Sequence, residues 1–332
     1  MRRISSIVLA GMVLVGLPFA ARAATSTSCT PRLLVLSAFP AELGKILSTA
    51  TLDSPQPVKS DDGREFYVRT LEGKPVIMAL TGIGPVNART TTQDAFATFD
   101  PNGLGCISGV VFSGVAGAGG GSRIGDVTVP DQWTQDNGTT WVPTNRRMRQ
   151  TAKAVAPTVK LEQTTPLGDP ACACVDPDAV QTVTFPYVPQ VRFHGNGSTT
   201  DPFGGHAAPC LQHGGDLAGC EPCPASLHAL PDPGRFVTGM EGIADPGFFL
   251  GIFAPAPAPP SGVTYVAADE ETAAAGQIAK DHATPFIAFR AISDGTADPL
   301  MLPGFPAQFF VYKQLAADNA AAMTLAFVRA WT

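Results

Sequence analysis

Three acidic residues stand after segments that are typical of buried β-strands. Glu42 follows Leu33–Leu36 and falls in the first turn of an expected helix. Glu271 begins a second expected helix, and Asp294 follows the apolar segment Phe286–Ile292. In an open α/β sheet, ligands bind beyond the carboxyl ends of the strands. Carboxyl groups gathered at that edge can move protons to and from a substrate, so the spacing predicts a site of acid–base chemistry.

Each of these acids also has a purely structural explanation. Glu42 and Glu271 could oppose the partial positive charge at a helix N-terminus. Asp294, which stands before Gly295, could be an ordinary turn residue. Spacing alone leaves both explanations open.

The elements around these acids alternate between strands and helices. The expected strands are Leu33–Leu36, Phe66–Arg69, Pro75–Leu80, Gly109–Phe112 and Pro285–Ile292. The expected helices are Val86–Phe99, Ala268–Lys280 and Phe309–Trp331, and glycine-rich turns are expected at Thr81–Gly84 and Ser113–Gly117. Strand, glycine turn, helix and strand in succession are typical of an α/β sheet.

Composition restricts the class of protein. The chain has 332 residues, of which 45% are hydrophobic and 15% charged, and this is too apolar for a disordered protein. It contains 22 Lys and Arg against 28 Asp and Glu, a formal net charge of −6. No basic cluster is strong enough to attract a phosphate backbone, so we expect no nucleic-acid partner.

The first residues have the pattern of a secretory signal peptide. Met1–Ala23 combines Arg2 and Arg3, an apolar run and a small-residue ending, which predicts cleavage before Ala24. No later run is long and apolar enough for a transmembrane helix. We therefore expect a secreted or periplasmic protein that is free of the membrane after cleavage.

A stretch from about 145 to 233 is expected to be an irregular insertion into one domain that spans 24–332. It is rich in proline and holds five of the seven cysteines, which are Cys172, Cys174, Cys210, Cys220 and Cys223. In an oxidising compartment these favour disulfides, with zinc binding as the open alternative. Asn196-Gly197-Ser198 fits a glycosylation sequon but is more typical of a turn.

Six segments carry the motifs of a known family. They are Val35–Glu42, Thr81–Gly84, Ser113–Gly117, Ile124–Val127, Asp269–Ala274 and Arg290–Asp294. Together they resemble the nucleoside phosphorylase / methylthioadenosine–S-adenosylhomocysteine nucleosidase superfamily, over about Pro31–Trp133 and Gly234–Trp331. The most specific are the last two, which are similar to an acid-Met-Glu segment and an R-A-I-S-D strand ending. The resemblance implies a three-layer α/β/α fold with a mostly parallel or mixed central sheet.

The same resemblance implies a reaction and its residues. The reaction is hydrolytic cleavage of the N-glycosidic bond of a purine nucleoside, similar to methylthioadenosine or S-adenosylhomocysteine, with no cofactor and no metal. Asp294 would protonate the base at N7, Glu271 would bind the ribose hydroxyls, and Glu42 would activate water. The resemblance places further substrate-binding positions at Ser293, Ala116, Gly117, Val237, Ile243 and Glu270. Glu270 is also the alternative candidate for the residue that binds the ribose hydroxyls, the role assigned to Glu271.

Departures from the family pattern keep other functions open. Phe112 and Val115 stand where a phosphorylase has an arginine and a hydroxyl residue, which favours water over phosphate as the nucleophile. Glu270 replaces a methionine, and Gly242 replaces an aromatic residue that would stack on the base. The export signal and the insertion resemble the plant bark storage proteins of the same superfamily. A non-catalytic nucleoside-binding or storage protein therefore remains an alternative, and the oligomeric state stays open.

Overall fold

A computed structural model describes residues 29–53, 56–166, 182–210 and 262–332, together with Leu217 and Gly219. The expected signal peptide and the two expected ligand contacts Val237 and Ile243 lie outside the described residues, as do Cys172, Cys174, Cys220 and Cys223.

Fifteen strands and five α-helices are formed by the described residues. The strands are β1 Arg32–Ser37, β2 Thr51–Leu52, β3 Val58–Lys59, β4 Glu65–Leu71, β5 Lys74–Leu80, β6 Ile107–Ala118, β7 Val127–Val129, β8 Gln132–Thr134, β9 Val142–Pro143, β10 Thr164–Pro166, β11 Thr182–Thr184, β12 Val191–Phe193, β13 Asn196–Thr199, β14 Tyr265–Asp269 and β15 Phe286–Asp294. The helices are α1 Pro40–Thr49, α2 Pro85–Phe99, α3 Arg146–Val155, α4 Thr272–Asp281 and α5 Ala307–Ala330.

The central sheet is mixed. Strand β1 lies between β5 and β6 and is parallel to both, and β15 is parallel to β6 on the other side. Strand β4 is antiparallel to β5, and β14 pairs antiparallel with the carboxyl end of β6. The carboxyl ends of β1, β6 and β15 therefore point the same way, as the acid-site prediction requires.

Alternate residues of the central strands face two separate hydrophobic cores. In β1, Leu34 and Leu36 belong to one core, whereas Leu33 and Val35 belong to the other. Helices α2 and α4 contribute to the first core, and α1, α3 and α5 contribute most of their buried apolar residues to the second. Because successive side chains of a strand point to opposite faces, the sheet is covered on both sides. The expected three-layer α/β/α fold is confirmed.

Two expected boundaries were wrong. The glycine turn expected at Ser113–Gly117 is the interior of β6, which runs without a break to Ala118. Helix α4 begins at Thr272 rather than at Ala268, because the residues before it form β14. Asp269 ends that strand, and its carboxylate accepts the backbone N–H of Thr272 at 3.2 Å, which satisfies a donor of the first helical turn.

Covalent links restrain the chain. Cys29 and Cys106 form a disulfide that joins the segment before β1 to the segment before β6. Cys210 is also disulfide-bonded. Within the described ranges, none of the helices has the length and apolarity that a bilayer crossing needs.

Candidate active site

A buried arginine lies at the centre of the acidic site. Arg290 is in the middle of β15 and is 1% exposed. Its Nη2 atom lies 2.9 Å from Oε2 of Glu271, and its Nη1 atom lies 3.4 Å from Oε1 of Glu42. Its Nε atom lies 2.9 Å from Oδ2 of Asp269. One guanidinium therefore binds three carboxylates, which come from α1, from the end of β14 and from the residue before α4.

Backbone donors fix the carboxylate of Glu42. Its Oε2 atom accepts the N–H of Ala38 at 2.6 Å, and its Oε1 atom accepts the N–H of Val115 at 2.7 Å. Burial raises the pKa of Glu42 to about 7, because the charged form loses its hydration, while Arg290 opposes this rise. A carboxyl group with this pKa exchanges a proton readily near neutral pH.

Glu271 is held at the junction of three segments. It directly precedes α4, and its Oε1 atom accepts the backbone N–H of Gly84 at 2.8 Å. Gly84 belongs to the glycine turn between β5 and α2, so the turn expected from sequence contacts the site. Burial raises the pKa of Glu271, and the attraction of Arg290 opposes the rise.

Asp294 lies at the end of β15, four residues beyond Arg290. Its Oδ1 atom accepts the hydroxyl of Ser293 at 2.8 Å, and the same hydroxyl lies 3.4 Å from the carbonyl oxygen of Ala116. Burial raises the pKa of Asp294, and the hydrogen bond from the Ser293 hydroxyl opposes this rise. Gly117 is the neighbour of Asp294 on β6, and a Cβ atom there would lie 3.0 Å from Oδ2 of Asp294.

Glu270 lies within the electrostatic influence of both Arg290 and Asp294. Its side chain is half-buried, and its pKa is raised well above the ordinary value by burial first and then by Glu271. Asp269 and Asp294 contribute to the same rise. Five carboxyl groups therefore share one electrostatic environment. The three acids singled out from the sequence are among them, and Glu42 and Glu271 contact the same guanidinium.

The glycines of β6 make room for these groups. A side chain at Gly114 would overlap the carboxylate of Glu42 and the guanidinium of Arg290. This explains why a glycine-rich sequence forms a strand here instead of the expected turn. The glycines serve close approach of side chains, which is one of the reasons for glycine within a strand.

The sequence predicted no role for Arg290 or Asp269, although each is the first residue of a segment that resembles the family. The sequence does contain a signal for Arg290, because this arginine interrupts the apolar segment Phe286–Ile292. An arginine that is fully buried in a strand needs carboxylate partners. The partners themselves come from distant segments and could not be read from the strand.

A separate cavity of about 220 Å³ lies elsewhere in the fold. It is lined by Asp131, Thr144, Arg146, Arg149, Gln150 and Lys153, and by none of the five carboxyl residues of the acidic site. Within the described part of the chain, no group of three or more His, Cys, Asp or Glu is arranged to hold a metal ion.

Comparison with solved structures identifies the fold. The chain is similar to the methylthioadenosine/S-adenosylhomocysteine nucleosidase of Neisseria meningitidis in complex with methylthio-immucillin-A, with 19% identity and a TM-score of 0.53 over 90% of this chain and 98% of the other. It is similar to S-adenosylhomocysteine nucleosidase of Streptococcus pyogenes, with 15% identity and a TM-score of 0.55 over 92% and 99%. Futalosine hydrolase of Helicobacter pylori shares 16% identity and a TM-score of 0.53 over 90% and 97%.

Comparison of sequences gives the family. The chain is 40% identical over 208 residues to an uncharacterized protein of Mycobacterium tuberculosis, covering 63% of this chain and 83% of that protein. A second uncharacterized protein of the same species is 60% identical over 67 residues, which are 20% of this chain and 90% of that protein. The family model of the phosphorylase superfamily matches residues 32–184, which include Glu42 and all of β6. The chain therefore belongs to the phosphorylase superfamily.

Proposed function

We propose that this protein hydrolyses the N-glycosidic bond of a purine nucleoside, similar to methylthioadenosine or S-adenosylhomocysteine, and releases the free base. The observation that carries the proposal is the bridge from Glu42 through Arg290 to Glu271, with Asp294 at the end of the same strand. Cleavage of such a bond passes through a sugar with oxocarbenium character, which needs negative charge beside the sugar and a proton for the leaving group.

Glu42 is the proposed base for the attacking water. A general base works best when its pKa lies near the working pH, and that of Glu42 is about 7. The N–H groups of Ala38 and Val115 fix the direction of the carboxylate. Orientation of this kind removes much of the entropy cost of bringing water and substrate together.

Glu271 is the proposed partner of the ribose hydroxyls. Each carboxylate oxygen has two lone pairs, and the bonds from Gly84 and Arg290 use one on each oxygen. The remaining lone pairs can accept hydrogen bonds from neighbouring hydroxyl groups of a sugar. The negative charge would also stabilise positive charge that develops on the sugar ring.

Asp294 is the proposed acid for the base. Its pKa is raised by burial, so the proton-carrying form that a general acid needs is favoured. The Ser293 hydroxyl holds one oxygen, and Gly117 leaves room at the other. Ser293, Ala116, Gly117 and Glu270 are the proposed lining of the substrate site, together with Val237 and Ile243.

Water is the proposed nucleophile because the site is strongly acidic. Arg290 is bound by three carboxylates, so its charge is already compensated. Phe112 lies beneath its guanidinium, with the guanidinium carbon 4.4 Å from the ring centroid. A phosphate dianion would meet five carboxyl groups here, and the described residues that contact these groups offer it no cation besides Arg290.

The test is an assay of purified protein with methylthioadenosine, S-adenosylhomocysteine and adenosine, in the presence and absence of phosphate. Release of free adenine at the same rate in both conditions is the expected result. A requirement for phosphate would show a phosphorylase instead. Tight nucleoside binding without release of base would show a binding or storage protein.

We propose further that the protein is exported. The Cys29–Cys106 disulfide supports this proposal, because structural disulfides persist in oxidising compartments. The test is N-terminal sequencing of the protein recovered outside the cytoplasm, which should begin at Ala24. A mature protein that still begins at Met1 would contradict the proposal.

A further inference from the structure

The carboxylate of Asp269 makes an ion pair with Arg290 and also accepts four hydrogen bonds. It is 1% exposed and lies at the end of β14. Its Oδ1 atom accepts the hydroxyl of Thr199 at 2.6 Å and the backbone N–H groups of Glu271 and Thr272 at 3.3 and 3.2 Å. Its Oδ2 atom binds Nε of Arg290 at 2.9 Å and the hydroxyl of Thr272.

Through these contacts Asp269 is linked both to Arg290 and to the backbone at the start of α4. Arg290 and this backbone segment hold the proposed reactive acids Glu42 and Glu271. On one side, Oδ2 of Asp269 lies 2.9 Å from Nε of Arg290, and the Thr272 hydroxyl links the two, because it accepts the Nε–H at 2.8 Å and donates to Asp269. The Nη1 and Nη2 atoms of the same guanidinium bind Glu42 and Glu271. On the other side, Asp269 fixes the backbone N–H of Glu271 itself. The guanidinium is planar, so fixing Nε determines where Nη1 and Nη2 can donate.

Thr199 extends this arrangement to the neighbouring strand. Its hydroxyl donates to Asp269 and accepts the backbone N–H of Ala273 at 2.9 Å, in the first turn of α4. Thr199 is the last residue of β13, which is parallel to β14. The ends of two strands and the start of one helix are thereby tied to one carboxylate.

We propose that Asp269 is a positioning residue of the acidic site: through Arg290 and the first turn of α4 it holds Glu42 and Glu271 in the arrangement that nucleoside hydrolysis needs. The expected effect of Asp269 on turnover rests on the proposed function. Its effect on the site itself can be measured without any substrate.

Asp269 also acts on the protonation of its neighbours. The charged or titratable groups that face this site are Glu42 from α1, Asp269 and Glu270 from β14 and the turn after it, Glu271 before α4, and Arg290 and Asp294 from β15. The negative charge of Asp269 raises the pKa of Glu271. Neutralising Asp269 removes a negative charge that opposes the ionisation of Glu271. We expect Glu271 to ionise at lower pH, and Glu42, which shares Arg290 with Asp269, to follow in the same direction.

The test compares Asp269→Asn with the matched control Asp100→Asn. Asp100 is also buried, and its carboxylate accepts the backbone N–H groups of Leu104 and Gly105 at the end of α2. In Asp269→Asn, an amide N–H₂ faces Nε of Arg290, and kcat should fall about 100-fold through misplacement of the reactive groups. The acid limb of its pH–rate profile should move to lower pH. Asp100→Asn should change stability alone.

Two further measurements keep the inference testable. If Asp269→Asn does not fold, Thr199→Val replaces the hydroxyl that contacts Asp269 with a methyl group and should also lower kcat, by a smaller factor. Carboxyl titration of glutamate-labelled protein by ¹³C NMR, with Glu42→Gln and Glu271→Gln to assign the signals, should show lower midpoints for both acids in Asp269→Asn. Lower midpoints in Asp269→Asn, together with a wild type that releases no base, would contradict the proposed function and support the role of Asp269. Unchanged midpoints, with an unchanged pH profile where the wild type is active, would overturn the inference.

Discussion

Arg290 binds Glu42, a residue 248 positions earlier in the chain, through its Nη1 atom at 3.4 Å. The contact joins β15 to α1 across the carboxyl end of the central sheet. Both residues are fully buried, so neither charge has water as an alternative partner. The predictions below depend on this pair and on the carboxylates that share it.

Replacing Asp294 should remove most of the turnover. In Asp294→Asn the amide cannot supply the proton that the leaving base needs, and loss of a general acid costs about 100- to 10,000-fold. The side chain is half-buried, and among the described residues the Ser293 hydroxyl is its one hydrogen-bond donor, so the fold should persist. The measurement is kcat for adenine release together with a thermal melt, with Asp100→Asn as the control. Full turnover in Asp294→Asn would exclude this residue as the acid.

Activity should rise with pH through about 7. Glu42 must be ionised to take a proton from water, and its pKa is about 7. A profile of kcat against pH should therefore show an acid limb near that value in the wild type. Glu42→Gln should have greatly reduced turnover at every pH. An acid limb near pH 4.5 would mean that Glu42 is not the group that titrates.

Glu42 should also make stability depend on pH. Its pKa rises from 4.5 in an unfolded chain to about 7 in the folded protein, so between these values the folded state binds more protons. Stability should therefore fall as the pH rises across this window, by on the order of 3 kcal/mol.

Urea unfolding at pH 5 and pH 7.5 would measure this effect. Glu42→Gln should be less stable than the wild type at pH 5, because its amide donor faces a backbone N–H, at a cost of about 1–3 kcal/mol. The difference should become smaller at pH 7.5, where the wild type has lost stability and the variant has not. A constant difference would contradict the raised pKa.

Removing the guanidinium should destabilise the fold. In Arg290→Met, three buried carboxylates lose their counter-ion, and breaking a buried pair costs roughly 3–5 kcal/mol. The cost should be smaller at pH 5 than at pH 7.5, because protonated carboxyl groups do not need the cation. Urea unfolding at the two pH values measures this, and an equal cost at both would contradict the assignment of these carboxylates to Arg290.

Two glycine-to-alanine changes should have opposite effects. In Gly114→Ala the new methyl group overlaps Glu42 and Arg290, so both stability and turnover should fall. Gly44 lies within α1 with open space where its Cβ would be, and Gly44→Ala should raise stability by about 0.5–1 kcal/mol without loss of activity. The comparison uses urea unfolding and the adenine assay. Tolerance of Gly114→Ala would show that the glycine is not needed for this approach.

The disulfide near the start of the sheet should contribute to stability. Cys29 and Cys106 are separated by 77 positions, and closing a loop of this size stabilises by about 4.5 kcal/mol if chain entropy is the main cause. The double variant Cys29→Ser/Cys106→Ser is the proper test, because a reductant would also act on Cys210. An unchanged urea midpoint would show that the link adds nothing to stability.

Local pattern was sufficient for α2 and β5. The expected helix Val86–Phe99 is α2 with one added residue, and the expected strand Pro75–Leu80 is β5 with one added residue. The prediction of a turn at Asn196-Gly197-Ser198 was wrong, because it followed the turn propensities of Asn, Gly and Ser. The segment Asn196–Thr199 forms β13, in which Gly197 lies so close to Trp133 that a side chain would overlap the indole ring.

The sequence by itself determined the α/β class, the three acids at strand ends and the family resemblance, because these depend on residue type and short-range spacing. Only the tertiary structure decided that Glu42, Asp269 and Glu271 share Arg290 and that Thr199 supports them. Such contacts join segments that are far apart in the chain, and no periodic pattern encodes them. They exist because a guanidinium buried in a sheet is stable only where folding brings carboxylates to it.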